Sequence, residues 1–267
     1  MSEHNDIWNT YKALYTVNGT TNRERALNIN KSHISSKAQD SLSCHEVLID
    51  GVSQKVTILN KREDVSLKKI CALPGDSLPH GGIVDFADGK WLITELDSND
   101  ELYASGLMKR CNYLLKWLDI DGNIIERWCV VEDGTKYLIG EKTKEFVTIG
   151  DARIAITLGK DSETNKLSRG KRFLVDDLDT DCPLAYQITK TNKLFSVFNG
   201  RGVFRFICNE VNLTDDDNVS LRIADYYNWK PYVRKDNEHR DKLATIDEIV
   251  EISKYDEPDN TSKGVWL

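Results

Sequence analysis

Four Asp-Gly dipeptides punctuate the first half of this chain, at Asp50-Gly51, Asp88-Gly89, Asp121-Gly122 and Asp133-Gly134. A two-residue type I′ turn needs positive φ at both central positions, so Asp-Gly between β-forming runs is a strong hairpin signal. The runs are there: HEVLI and VSQKVTIL around the first, residues 83–86 and 91–96 around the second, 111–118 and 124–131 around the third. The fourth leads towards a short strand at 137–139. Val56 and Ile58 alternate with Lys55 and Thr57, as in a strand with one face buried. A chain turned so tightly and so often folds as connected antiparallel hairpins, in a small barrel or sandwich. Trp91, Trp117 and Trp128 all fall within 82–131, so that stretch is expected to hold the main core.

The second half repeats the β character without repeating the sequence. Strands are expected at 146–150, 153–158, 172–177, 184–195 and 203–211, with a turn at Asn199-Gly200. Ahead of both halves, Ile7, Trp8, Tyr11, Leu14 and Tyr15 recur at helical spacing up to Asn18-Gly19. Thr21 then caps a second helix over 22–37, with Leu27 and Ile34 on one face. That helix carries Arg23, Arg25, Lys31 and Lys37 against Glu24, a solvated face in preference to a basic binding patch. Residues 61–81 read as loop with a short helix at 67–73, and SLRIADYY reads as a last strand. A helix is expected at 244–254, before a polar stretch that reaches Trp266. The chain is therefore expected to be mainly β: two small antiparallel β-barrel or sandwich domains, a short helical N-terminal segment and an extended, partly helical C-terminal tail. The divisions fall at 1–40, 41–142, 143–228 and 229–267.

Charge and cysteine usage narrow the function classes. A formal charge of −7 disfavours a general nucleic-acid binder, which needs a basic surface. The six cysteines form no CxxC pair, and only Cys44 has a histidine beside it, so no metal site is expected. Cys111, Cys129 and Cys208 sit in apolar runs, where a thiol behaves as a small hydrophobe. The polar, acidic start lacks the apolar segment of a signal peptide, and no run approaches the roughly 20 apolar residues of a membrane span.

No catalytic constellation stands out. Asp119-x-Asp121-Gly-Asn123 is superficially like a calcium loop, but the glycine is displaced and the flanks read as strands, so it is a hairpin turn. Asp176, Asp177, Asp179 and Asp181, and Asp215 to Asp217, read as solvated turns before a cation site. There is no nucleophile elbow, no phosphate-binding glycine loop, and no carboxylate pair framed for glycoside hydrolysis. Aromatic residues are the remaining signal. Tyr226, Tyr227, Trp229 and Tyr232 lie beside Lys230 and Arg234, a composition that suits a core rim and an interface equally. Together with Trp8, Tyr11 and Trp266 they are candidates for an assembly interface.

The strings GIVDFADGKWLITELD, YASGLMKRCNYLLKW, DGNIIERWCVVEDGTKYL, RFLVDD and LRIADYY, taken in this order, resemble a group of tailed-bacteriophage minor structural proteins of the head-closure or head–tail connector type. The resemblance spans residues 5–228 and brings no catalytic residue with it. It implies that Gly82, Trp91, Arg110, Cys111, Trp117, Gly122, Trp128 and Arg172 serve the fold. It also implies a non-enzymatic neck component without cofactor or metal. Such a protein forms a homo-oligomeric ring between portal or adaptor and tail proteins, in the virion, after assembly in the host cytoplasm. Genomic DNA passes through without sequence-specific binding, and no membrane is involved. Rival readings are a tail terminator or other tail structural protein, a carbohydrate- or host-surface-binding β-module, and, least supported, a hydrolase.

Overall fold

The computed structural model describes residues 2–61, 64–97, 101–134, 152–176 and 181–229. The strands expected at 137–139 and 146–150, the boundary at 142, the helix at 244–254, Tyr232 and Trp266 lie outside the described residues. So does the side chain of Trp229.

Two helices come first, α1 (Ser2–Thr16) and α2 (Asn22–Gln39). Thr21 caps α2 as its sequence requires: its hydroxyl accepts from the Glu24 N–H, and the Glu24 carboxylate accepts from the Thr20 and Thr21 N–H groups. No residue of α2 is buried, so this helix rides on the surface. An exposed Arg23–Glu101 pair ties its first turn to the β-structure.

Six strands then close into a barrel: β1 (Cys44–Ile49), β2 (Val52–Asn60), β3 (Leu67–Ala72), β4 (Ile83–Phe86), β5 (Gly89–Asp97) and β6 (Ser105–Arg110), in the order β1-β2-β3-β6-β5-β4. Every neighbouring pair is antiparallel. Val47, Ile49, Val56, Ile58, Ile70, Val84, Trp91, Ile93 and Met108 fill the interior. The closing seam between β1 and β4 is two residue pairs long, and Asp50 extends it. Its N–H donates to the Ile83 carbonyl and its carboxylate accepts from the Ile83 N–H. Gly82 is needed beside this seam, because a Cβ there would stand 2.6 Å from the Pro79 ring and 2.9 Å from the Asp50 carboxylate. The helix expected at 67–73 is instead β3. Its alternation puts Ile70 and Ala72 inside, and pairing with β2 on one side and β6 on the other overrides local preference.

The second β-module contains β7 (Tyr113–Leu118), β8 (Ile124–Asp133), β9 (Arg153–Gly159), β10 (Arg172–Leu174), β11 (Ala185–Asn192), β12 (Val197–Phe198) and β13 (Arg201–Val211). Short helices α3 (Ser162–Lys166) and α4 (Tyr226–Trp229) accompany it. The sheet runs β10-β11-β13-β9-β8-β7, with β12 folded onto β13. Its two edges nearly meet: the Tyr113 hydroxyl of β7 donates to the Leu174 carbonyl of β10, and Trp117 packs edge-on against Phe173. Leu115, Trp117, Ile156, Leu158, Phe173, Phe204 and Phe206 form the core.

The division expected at 142 is therefore displaced. β7 and β8, grouped by sequence with the first domain, pair in the second sheet, and the chain crosses over at Cys111-Asn112. The hairpin signal located these strands but not their sheet, which long-range pairing between β8 and β9 decides. The stretch 82–131 thus contributes to two cores, not one.

The turns follow the sequence with two adjustments. Asp50-Gly51 and Asn199-Gly200 have positive φ at both positions and join directly paired strands. The second hairpin instead turns on Ala87-Asp88, at φ 49° and 55°, and Gly89 already pairs with Phe86. Around Asp121-Gly122 the loop is longer: the Asp119 carboxylate accepts from the Asp121 and Asn123 N–H groups, and Gly122 has φ 77°. These bonds give Asp119 the role of a turn residue.

Candidate functional site

The two modules meet in a seam made by backbone. Gly81, just before β4, lies against Gly159 at the end of β9 and Gly202 at the start of β13. A Cβ on Gly81 would stand 2.0 Å from the Gly202 carbonyl oxygen, and one on Gly159 would stand 2.2 Å from that of Gly81. Only glycine permits such an approach. Beside the seam Leu92, Cys111, Val130 and Val203 form a small apolar cluster shared by both modules, with Ile83 against it. This accounts for the unbroken burial of Trp91, Leu92 and Ile93: Trp91 and Ile93 face the barrel interior while Leu92 faces the second module.

The crossover at Arg110-Cys111-Asn112 is pinned on three sides. The Arg110 N–H donates to the Ser66 carbonyl, the Cys111 N–H donates to the Lys90 carbonyl, and the Asn112 amide exchanges two 2.8 Å bonds with the Val131 backbone. A cleft of about 590 Å³ opens on one side, bounded by Phe86, Gly89, Lys90, Arg110 and Trp128. Another of about 640 Å³ opens on the other, bounded by Asp64, Lys109, Arg110 and Glu132. In the second, Lys109 pairs with Glu132, which also receives Arg205.

A buried ionic clasp organises the other end of the second module. Arg172 donates to Asp217 through both terminal nitrogens, to Asp225 at 2.6 Å, to the Thr214 hydroxyl and to the Asn212 carbonyl. Burial alone would raise the Asp217 carboxyl. N–H bonds from Asp225 and Thr214 and the Arg172 guanidinium outweigh it and hold the pKa below the ordinary aspartate value. The clasp fixes residues 212–227 as a strap across the gap between β7 and β10. From this strap Ile223 and Tyr226 pack on Leu118, and Ala224 packs on Leu174 and Ala185. The last strand expected from SLRIADYY is absent here. Positive φ at Arg222 and Asp225 breaks the extended run, leaving one Asn218–Ile223 bridge.

These placements sort the residues singled out by sequence. Trp91, Trp117 and Cys111 are buried, Gly82 and Gly122 occupy turns, and Arg110 marks the crossover. Trp128 departs from its expected core role: it is 37% exposed and forms a wall of the cleft, because its strand turns that face away from the second core. Tyr226 is buried and Tyr227, partly buried, packs beside it, in a small cluster with Leu118 and Ile223. Trp8 and Tyr11 stack on one another and remain more than half exposed. Asp217 is buried in an ion pair and is no solvated turn residue.

Sequence reasoning missed the glycine seam and the exposed apolar residues around β12. Leu194 and Phe195, in the connection from β11, and Phe198, on β12 itself, are 84%, 81% and 66% exposed. The signal available was KLFSVFNGR, two aromatics within four residues of an Asn-Gly turn.

The buried thiols are poor nucleophiles. Burial pushes Cys111 and Cys208 up to about 12 and raises Cys129 further. Among the described residues no group of three or more His, Cys, Asp or Glu side chains is arranged to hold a metal ion. No helix among them is long and apolar enough to cross a membrane.

Part of the first module is similar to a phage-associated domain family. Residues 14–110 match the family model of the YomX N-terminal domain. The match runs from the end of α1 to the last residue of β6, and so stops where the barrel ends and the crossover begins. Comparison with curated proteins gives no significant match. Two solved structures align at 12% identity. One is titled "MrkH, A novel c-di-GMP dependence transcription regulatory factor", with 70% of this chain and 85% of that chain covered. The other is titled "Structure of K. pneumonia MrkH-c-di-GMP complex", with 84% and 96% covered. The TM-score is 0.23 for each, and neither bears on the chemistry of this chain.

Proposed function

We propose that this chain is a non-enzymatic structural protein of a tailed-phage particle, a ring-forming neck component that joins portal or adaptor to tail around the DNA passage. The observation that carries the reading is the contrast between a locked body and its exposed apolar extensions. The glycine seam and crossover hold two β-modules together, while Leu194, Phe195 and Phe198 at one place and Ile7, Trp8 and Tyr11 at another stay in water. Exposed apolar groups concentrated on protruding elements mark interaction sites. The phage-associated match over the first module supports the setting. An overall charge of −7 suits a passage through which DNA must slide without being held.

The test is the solution mass of the full chain by light scattering, alone and after mixing with the portal and tail proteins encoded nearby. Ring-sized species, alone or on the portal, are expected. Recruitment by the tail tube in place of the portal would move the protein to a tail-terminator role. A strict monomer that ignores all these partners would end the structural reading.

A further inference from the structure

Residues 182–209 hold no acidic side chain, in a chain whose formal charge is −7, yet they carry Lys190, Lys193, Arg201 and Arg205. The same stretch carries the exposed apolar side chains around β12. They sit at two successive turns, Leu194 and Phe195 in the connection from β11 and Phe198 just before Asn199-Gly200. Val197 packs against the second core, so the next residue of the strand, Phe198, faces outward, its ring beside that of His80. We propose that this face rests on an anionic lipid bilayer. Leu194, Phe195 and Phe198 enter the boundary between head groups and acyl chains, and Lys160, Lys190 and Arg201 meet the phosphates. The inference goes beyond the neck reading and does not rest on it. It gives one exposed apolar place an occupant and leaves Ile7, Trp8 and Tyr11 to assembly.

Charge selects an anionic surface. Arg201 is the cross-strand partner of Phe198, Lys190 lies four residues before Leu194, and the Lys160 N–H donates to the Gly202 carbonyl. None of these three cations forms an ion pair among the described residues. The other charges around β12 are taken up. Arg205 pairs with Glu132, and the Lys193 ammonium donates to the Asn165 carbonyl. Asp161 and Glu163, on the α3 turn that Lys193 reaches, pair with Arg127 and Lys166. The face therefore offers uncompensated positive charge around its apolar side chains, the pattern that an anionic leaflet attracts.

Size favours a bilayer over a protein partner. A phenylalanine buries about 150–250 Å². Two of them with a leucine fall short of the roughly 800 Å² that each partner of a specific complex buries. A bilayer asks for no matching shape, and stable attachment to it takes two signals, such as an inserted apolar group and a basic patch. Both occur here around one short strand. Lysine and arginine suit the boundary because their stems lie along apolar surface while their charged heads stay in water.

The experiment is co-sedimentation of the full chain with vesicles of phosphatidylglycerol mixed equally with phosphatidylcholine, set against vesicles of phosphatidylcholine alone. Wild type should bind the first and leave the second. The double variant Leu194→Ser with Phe195→Ser should lose affinity on the order of 100-fold. Lys190→Gln with Arg201→Gln should lose about fivefold per cation removed. That second loss should vanish in 1 M salt, where the screening length is about 3 Å. All four positions are exposed, so each variant should keep the wild-type urea midpoint, which shows that it is folded. Equal binding to both kinds of vesicle would overturn the proposal, as would variants that bind like wild type. A wild type that ignores vesicles would also overturn it; if the first variant then loses self-association, the face belongs to a protein contact. None of these failures touches the neck reading, which stands or falls on the solution mass with portal and tail proteins.

Discussion

The two β-modules solve the same closure problem differently. The first is closed by hydrogen-bonded strand pairs all the way round, with Asp50 reinforcing the shortest seam. The second stops one pairing short, and its β7–β10 gap is bridged by Tyr113, by Trp117 on Phe173, and by a strap that Arg172 clasps. Backbone closure spreads its energy over many equivalent bonds. Closure by a buried charge concentrates it in one residue, and the two should fail in different ways.

The sharpest way to expose that difference is Arg172→Met. It leaves Asp217, 1% exposed at its side chain, without its counter-charge, and should cost about 3–5 kcal/mol. Hydrogen exchange should show β10, β11 and the strap losing protection while β1 and β2 keep theirs. Uniform loss across both modules would mean that the seam couples them into one folding unit. Gly159→Ala tests that coupling directly. Its Cβ would lie 2.2 Å from the Gly81 carbonyl oxygen across the seam, and overpacking of this kind costs about 1–3 kcal/mol. Denaturant unfolding should move from one transition to two.

Acid gives a gentler probe. The folded-state pKa of Asp217 is depressed, so its stabilising effect is present above the ordinary aspartate range and is lost as pH falls through the folded value. The second module should therefore loosen before the first on acid titration, followed by exchange or near-ultraviolet dichroism. A simultaneous loss would remove the clasp as the cause. The smallest effect belongs to the first module's own blemish, Ala87 at φ 49°. Ala87→Gly should relieve the left-handed strain and raise stability by about 0.5–1 kcal/mol, less the entropy glycine costs in the unfolded chain. A shift in urea midpoint measures it.

Legibility from sequence follows the same divide. The hairpins, the α2 cap and the β class were readable because each depends on residues close in sequence, such as Asp50-Gly51 or Thr21 with Glu24. β3 was misread because Leu67 to Ala72 owes its conformation to partners on both sides. The placement of β7 and β8 depended on β9, twenty residues beyond. Trp128 had every mark of a core residue, and only the direction of its strand puts it in a cleft wall. Arg172 was named through a resemblance, yet its partners Asp217 and Asp225 lie 45 and 53 residues away. Gly81, Gly159 and Gly202 looked like ordinary loop glycines, since nothing local marks a residue that must have no side chain because another backbone touches it.

That seam bears on how the molecule handles load. A joint lined by side chains can yield by rotamer exchange, absorbing a push on one module before the other feels it. Where main chain rests on main chain at three glycines, nothing can swivel out of the way, and torque on the first barrel passes directly to the second. Evolution, too, has little to adjust there: the angle between the modules can be altered only through the crossover at Arg110 to Asn112. A ring built from such units would be stiff, so any opening of its bore should come from sliding between subunits and not from bending within them.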